Sequence, residues 1–182
     1  MNADTKIAET PVDIQIAEDS TTQSMQLENI LEKNGFHVRA AKNGRLALEA
    51  LASHRAALVI TDVQMPEMDG FEATGELRRW EGTEEWTALG RSKLHIIALT
   101  ANAVRGDRER CLEAGMDDYI TKPIDPAHLL SVVKSAVGQR SAGVRGDEEP
   151  VSVERLLGDS AAMRQVREQV LRAAAAESTV LI

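Results

Sequence analysis

The sequence predicts an α/β fold in which a doubly wound, five-stranded parallel sheet carries helices on both faces. Five short apolar segments alternate with segments of helical periodicity, which is typical of successive βα units. Two of the apolar segments, AALVIT (56–61) and HIIAL (95–99), are nearly continuous, as expected for strands covered on both faces. Hydrophobic residues make up 43% of the 182 residues and aromatic residues only 3%, so we expect a mainly aliphatic core.

The ten elements follow one another from residue 12 onward, and glycine, asparagine or proline separates several of them. Alternating Val12, Ile14 and Ile16 predict the first strand, and a cap among residues 20–22 starts a helix that ends at Asn34-Gly35. The later elements are predicted at 37–41 (strand), 44–53 (helix), 56–61 (strand), 95–99 (strand), about 105–113 (helix), 118–121 (strand) and a helix that begins at Pro126. Between the third and fourth strands, a loop with Pro66 and Gly70 leads into a helix that reaches Arg78–Trp80.

The chain divides into four parts. Residues 1–11 are predicted to be a flexible leader, and residues 12–138 form the α/β domain. Residues 139–150 (QRSAGVRGDEEP) have the composition of a linker. Residues 151–182 predict a helical extension and a final apolar run, TVLI, that has no partner strand.

Polar side chains stand at the carboxyl ends of four predicted strands. Glu18 and Asp19 follow the first strand, Asp62 the third, Thr100 the fourth and Lys122 the fifth. Because ligands bind at this edge of an open parallel sheet, we expect these side chains to meet there. Taken singly, each has a structural explanation: an acidic first turn of a helix, a loop or helix cap, or a solvated lysine. Their joint placement on one edge favours a functional site.

This set of side chains suits phosphoryl transfer. Neighbouring carboxylates repel one another unless a cation lies among them, and Mg²⁺ prefers oxygen ligands. An ionised aspartate can act as a nucleophile on phosphorus. A lysine and a hydroxyl can then bind the phosphoryl oxygens and stabilise their charge. The inferred chemistry is the formation and hydrolysis of an aspartyl phosphate.

Four sequence blocks resemble the signature blocks of bacterial response-regulator receiver domains. They are IAEDS (16–20), VITDVQMPEMDG (59–70), IIALTANA (96–103) and DDYITKPI (117–124). The resemblance covers residues 12–138 and implies the flavodoxin-like receiver fold. It implies that Asp62 is the phosphoacceptor and that Mg²⁺ is bound by Glu18, Asp19, Asp62 and the main-chain carbonyl of Gln64.

The resemblance also implies roles for residues of the last two strands. Thr100 and Lys122 would bind the phosphoryl group, and Tyr119 matches the aromatic switch of the family, which turns inward as Thr100 moves. A half-buried aromatic residue on an edge strand is the plain structural explanation of Tyr119. The bond before Pro123 is often cis in this family.

Two features depart from the family pattern. Gln15 lies in mid-strand where an aliphatic residue is usual, and it would cost stability if buried without a partner. Residues 81–93 (EGTEEWTALGRSK) lengthen the connection before the fourth strand, and we expect them to form a polar surface insertion.

Residues 153–182 resemble the start of the AAA+ ATPase domain of sigma-54-dependent activators, which implies a link to transcription regulation. In that family the strand seen here as TVLI is followed by the phosphate-binding G-x-x-x-x-G-K loop, and this sequence ends before it. No ATPase role is therefore carried over. A helix that packs on the domain or dimerises it is the alternative for this segment.

The predicted function is a regulatory phosphoacceptor, not a turnover enzyme, which receives its phosphoryl group from a histidine kinase or a histidine phosphotransfer protein. A homodimer is left open. The net charge of −8 and the lack of a basic block argue against direct nucleic-acid binding. A single cysteine, Cys111, and the lack of an apolar run of ~20 residues predict a cytoplasmic protein without membrane contact.

Two other functions are alternatives for this pattern of residues. A phosphatase of the haloacid-dehalogenase type would use the same residue types, but it expects a second aspartate two residues after the nucleophile, where this chain has Gln64. A phosphorylation-independent interaction domain would not require the complete acidic edge.

Overall fold

The computed structural model describes residues 12–101 and 107–140. The predicted leader (1–11), almost all of the linker (139–150) and the whole extension (151–182), including the segment that resembles an AAA+ domain, lie outside the described residues. In the part that is described, no helix is long and apolar enough to cross a bilayer.

The predicted parallel sheet is confirmed. Its five strands are ordered β2-β1-β3-β4-β5, and every neighbouring pair is parallel. The strands are β1 (Val12–Ala17), β2 (Phe36–Ala41), β3 (Leu58–Asp62), β4 (His95–Thr100) and β5 (Asp118–Thr121). β3 begins two residues later than predicted and continues through Asp62, which pairs with Leu99 of β4. The candidate phosphoacceptor is therefore part of the sheet itself.

Within the described residues, six helices connect and cover the strands. They are α1 (Thr21–Glu32), α2 (Gly44–Ser53), α3 (Gly70–Glu81), α4 (Glu84–Ala88), α5 (Asp107–Glu113) and α6 (Pro126–Arg140). Side chains cap the first three, as the sequence suggests for α1: Ser20 accepts from the Gln23 N–H, Asn43 from the Leu46 N–H and Asp69 from the Glu72 N–H. The cap of α3 is a full capping box, because the Glu72 side chain also accepts from the Asp69 N–H.

Two hydrophobic layers hold the sheet between the helices. Successive residues of β3 and β4 alternate between the layers, so Ile60 and Ile97 pack with α1 and α6, whereas Val59 and Ile96 pack with α2 and α3. Both faces are covered, which explains the nearly continuous apolar sequences of these strands.

Gln15 is the one polar side chain of β1 that points into this core. It is 2% exposed, and its amide Nε2 donates to the Ile16 carbonyl at 2.9 Å. The partner removes the penalty that an unsatisfied buried amide would carry.

The expectation of a polar surface insertion at residues 81–93 is wrong for its centre. The segment forms α4, and Trp86 is only 3% exposed. Its ring meets Trp80 of α3 edge to face, with centroids 5.0 Å apart and planes at 74°. The Arg91 guanidinium lies over both indoles, at 5.7 Å from Trp80 and 5.3 Å from Trp86, and Arg91 Nη1 donates to the Leu51 carbonyl at 2.6 Å. The insertion therefore extends the core.

Arg78 fixes both ends of this insertion to the sheet. Its Nη1 donates to Glu81 Oε2 at 2.6 Å and to the Leu94 carbonyl at 2.9 Å, and Glu81 Oε1 accepts from the Leu94 N–H at 2.6 Å. Its other nitrogens donate to the Gly115 carbonyl and to Asp117. The entry and exit of the insertion are thus held together by one guanidinium.

Candidate functional site

The order of the strands brings the predicted side chains to one edge of the sheet. Asp62 ends the central strand β3, and Thr100 ends the neighbouring β4. Glu18 and Asp19 follow β1 on the other side of β3, and Lys122 follows β5. Because all strands run parallel, every one of these positions lies at the carboxyl edge.

Glu18, Asp19 and Asp62 form a carboxylate cluster. One oxygen of each lies within 4.8 Å of the others. Glu18 is 2% exposed and Asp62 7%, whereas Asp19 is exposed. Two buried carboxylates and one open to solvent make a one-sided set of hard oxygen donors, which is the donor chemistry that Mg²⁺ prefers. The residues present therefore fit this ion.

Lys122 provides the positive charge among these carboxylates. Its Nζ donates to Asp62 Oδ2 at 2.6 Å and to Glu18 Oε2 at 3.0 Å. Burial alone would lower the pKa of Lys122, but the hydrogen bonds to Asp62 and Glu18 outweigh it and raise the pKa above its usual value. The ammonium group is therefore held in its charged form between the two carboxylates.

Glu18 carries an electrostatic cost at this position. Burial raises its pKa above the usual value, and the charge of Asp62 adds to the rise, although the hydrogen bond from Lys122 opposes it. A further cation that enters the cluster would therefore stabilise the charged form of Glu18.

The backbone around Asp62 is held on both sides. The Gln64 N–H donates to Asp62 Oδ1 at 3.1 Å, and the Val63 N–H donates to the Leu99 carbonyl at 3.0 Å. Gly70 closes the loop, because a Cβ there would lie 2.3 Å from the Asp62 carbonyl oxygen. Only glycine allows α3 to start so close to the end of β3.

A cleft of about 520 Å³ opens beside the cluster. Asp19, Asp62, Gln64 and Thr100 line its polar part. The wall also contains side chains that sequence reasoning did not assign to the site, namely Met65, Pro66, Asp69, Phe71, Arg110 and Cys111. The Arg110 guanidinium lies over the Phe71 ring at 5.3 Å, and this contact between α5 and α3 has no signal in the sequence pattern.

Tyr119 occupies a different position from the other predicted residues. It is half-buried on β5, pairs in register with Ala98 and packs against the hydrophobic layer of α2 and α3. It is not among the residues that line the cleft. The peptide bond between Lys122 and Pro123 is cis, as the resemblance implied.

Comparison with families and curated proteins gives concordant results. The family model described as the response regulator receiver domain matches residues 14–134. Hybrid signal transduction histidine kinase I of Dictyostelium discoideum is 36% identical over 132 residues, which are 70% of this chain and 7% of that protein. Sensor histidine kinase GacS of Pseudomonas protegens is 39% identical over 121 residues, 66% of this chain and 13% of that protein. The chain thus spans only a small part of these kinases.

An uncharacterized 14.6 kDa protein of Leptolyngbya boryana is similar over most of its own length. It is 38% identical over 123 residues, which are 68% of this chain and 88% of that protein.

Solved receiver structures have the same fold. The signal receiver domain of a histidine kinase from Syntrophus aciditrophicus has a TM-score of 0.61 and 35% identity, covering 78% of this chain and 98% of that one. The receiver of a Pseudomonas aeruginosa sensor kinase, with magnesium coordinated in its active site cleft, has a TM-score of 0.61 and 33% identity, covering 71% and 99%. A Saccharomyces cerevisiae receiver, crystallised with a histidine phosphotransfer protein, has a TM-score of 0.65 and 26% identity, covering 71% and 91%.

Proposed function

The chain belongs to the response-regulator receiver family, and from that premise we propose that Asp62 accepts a phosphoryl group from a phosphohistidine donor. Receiver domains are regulatory phosphoacceptors of two-component phosphorelays, not turnover enzymes. The observation that carries the proposal is the meeting of Glu18, Asp19, Asp62 and Lys122 at one edge of the sheet, beside an open cleft.

In the proposed reaction, a carboxylate oxygen of Asp62 attacks phosphorus. The bond from phosphorus to the donor nitrogen breaks, and its electron pair stays with the imidazole. Lys122 already contacts Asp62, and Thr100 lines the same cleft, so both can bind phosphoryl oxygens as charge develops there.

Mg²⁺ is the proposed cofactor, with Glu18, Asp19, Asp62 and the Gln64 main-chain carbonyl as its ligands. When bound, it would neutralise charge on the phosphoryl oxygens. The fit rests on the three carboxylates within 4.8 Å and on the raised pKa of buried Glu18.

Phosphorylation is proposed to act as a switch through Thr100 and Tyr119. Thr100 ends β4, and Tyr119 lies on the adjacent strand β5. A phosphoryl group on Asp62 would draw the Thr100 hydroxyl toward it, and Tyr119 would then turn inward. The surface formed by the last strands and helices would change for its partners.

The proposed donor is a histidine kinase or a histidine phosphotransfer protein. The S. cerevisiae receiver that resembles this fold was solved with such a phosphotransfer protein, which supports this class of partner. We further propose that the receiver spans residues 12–138 and that residues 139–150 link it to residues 151–182. Output through a homodimer, transcription regulation and a cytoplasmic location are parts of the same proposal.

Incubation with Mg²⁺ and acetyl phosphate, followed by intact mass measurement, tests the function. We expect one labile phosphoryl adduct per chain in the wild type and none in Asp62→Asn. Asp69→Asn is the matched control, because Asp69 lines the same cleft and asparagine also caps a helix. An adduct that survives in Asp62→Asn, or rapid multiple turnover of acetyl phosphate, would contradict the proposal.

A further inference from the structure

The loop between β3 and α3 contains a strained residue. Glu67 has φ of +66°, and no other non-glycine residue in the described part of the chain has a positive φ. Glutamate rarely adopts this left-handed conformation, which persists only where neighbouring groups hold it. The contacts of Glu67 therefore indicate what fixes the loop.

Arg45 of α2 holds Glu67 from across the loop. Its Nη2 donates to Glu67 Oε2 at 2.8 Å, and its Nη1 donates to Glu49 Oε1 at 2.9 Å. The Arg45 side chain is 25% exposed and the Glu67 side chain 58%, so this ion pair lies at the surface and its contribution is that of a solvent-accessible pair. The guanidinium therefore bridges Glu49, one helical turn further along α2, and Glu67 in the loop.

A second contact joins α2 to the same turn. The Gly44 N–H donates to the Met68 carbonyl at 3.1 Å, and a Cβ at Gly44 would lie 2.9 Å from Met68 and 2.7 Å from Ala73. Within the turn, the Met68 N–H donates to the Pro66 carbonyl at 2.8 Å. The start of α2 thus fits closely against Met68, the residue that follows Glu67.

This turn is continuous with the phosphoacceptor. Gln64, Met65 and Pro66 line the cleft, and the Gln64 N–H donates to Asp62 Oδ1. The other end of the loop is closed by the Gly70 N–H, which donates to the Val63 carbonyl at 3.1 Å. A change in the Glu67 turn would therefore move Gln64 relative to Asp62.

We propose that Arg45 is a positioning residue: its ion pair with Glu67 holds the left-handed turn and thereby keeps Gln64 against Asp62. Arg45 itself is not among the residues that line the cleft. The kinetic consequence rests on the proposed function, because the loop would then set the rate at which Asp62 is phosphorylated. The effect of Arg45 on the contact between Gln64 and Asp62 can be measured in the metal-free protein, without any phosphoryl transfer.

The test compares Arg45→Ala, Glu67→Gly and the double variant. Amide hydrogen exchange of Gln64 is measured by NMR in the metal-free protein, and acetyl phosphate labelling is measured with Mg²⁺. We expect Arg45→Ala to raise Gln64 exchange about threefold, the scale of losing a partly exposed ion pair, and to slow labelling by a similar factor. Glycine adopts a positive φ without help, so Glu67→Gly should stay near the wild type, and Arg45→Ala should have little effect in that background.

Arg79→Ala is the matched control, because Arg79 forms a surface ion pair with Glu76 at 2.7 Å on α3. It should leave Gln64 exchange unchanged. Unchanged exchange in Arg45→Ala, an equal rise at amides throughout the domain, or the same rise in the Glu67→Gly background would overturn the proposal. If the wild type takes no label, the phosphoacceptor function fails, but the exchange data still decide the role of Arg45.

Discussion

Replacing Trp86 with alanine tests whether residues 81–93 belong to the core. The indole is 3% exposed and lies in the same hydrophobic cluster as Leu51, Leu89 and Leu94. It also packs edge to face against Trp80, and the Arg91 guanidinium lies over its ring. The substitution removes all of these contacts and leaves a space that the short helix α4 can fill only in part.

The expected loss of stability follows from this burial. Truncation of a buried tryptophan or phenylalanine to alanine costs about 3–5 kcal/mol. Because the insertion lies at the border of the core, partial collapse favours the lower end, about 3 kcal/mol. A surface loop would show changes within about 0.5 kcal/mol instead. For a domain of this size the expected change lowers the Tm by roughly 10 °C.

Urea denaturation followed by far-ultraviolet circular dichroism measures this loss, since tryptophan fluorescence itself changes with the substitution. Thr87→Ala, on the exposed side of the same helix, is the control and should cost less than about 0.5 kcal/mol. A loss below about 1 kcal/mol in Trp86→Ala, with an unchanged m-value, would refute the conclusion that the insertion extends the core.

Three further outcomes follow from the described contacts. Gly70→Ala should lower stability by about 1–3 kcal/mol in calorimetry, because its Cβ would lie 2.3 Å from the Asp62 carbonyl oxygen. Gly75→Ala is the control: there is open space around Gly75, so the substitution should raise stability by about 0.5–1 kcal/mol. Asp117→Asn should lower stability at neutral pH. Burial would raise the pKa of Asp117, but the hydrogen bond from the Ile96 N–H and the charges of Lys93 and Arg78 outweigh it and lower the pKa. The stabilisation by ionised Asp117 is therefore present above about pH 4 and is lost as the pH falls through the folded pKa. Urea titrations at neutral and acidic pH should therefore show the two proteins converging in acid, and a constant difference would contradict this. Mg²⁺ at 100 times its Kd should stabilise the wild type by about 2.7 kcal/mol in thermal melts. Asp19→Asn should lose most of this gain, because it removes one carboxylate of the cluster. Equal gains in both proteins would argue against the carboxylate cluster as the Mg²⁺ site.

The sheet could be predicted because its sequence signals are local. Continuous apolar segments such as HIIAL (95–99) identify strands covered on both faces, and the register of β3 and β4 confirms them. The insertion could not be predicted in this way. Trp86 stands alone among polar neighbours, and its burial depends on α4 folding back onto Trp80, a contact that periodicity does not reveal.

The candidate site, too, can be predicted from the sequence only in part. The strand-end rule brings Glu18, Asp62 and Lys122 to one edge without any knowledge of side-chain contacts. The features that hold this edge are absent from the sequence pattern: the close approach of Gly70 to Asp62 and the positive φ of Glu67 are properties of the folded backbone. The chemical roles of the site residues stay predictions until phosphorylation is measured.

Direct location of the phosphoryl group tests the central claim. The protein is incubated with Mg²⁺ and acetyl phosphate, the acyl phosphate is reduced with borohydride, which converts the modified aspartate to homoserine, and tandem mass spectrometry locates that residue. We expect homoserine at position 62 alone. Homoserine at Asp19 or Asp69, or an adduct in the intact mass with unmodified Asp62, would contradict the assignment of Asp62 as the phosphoacceptor.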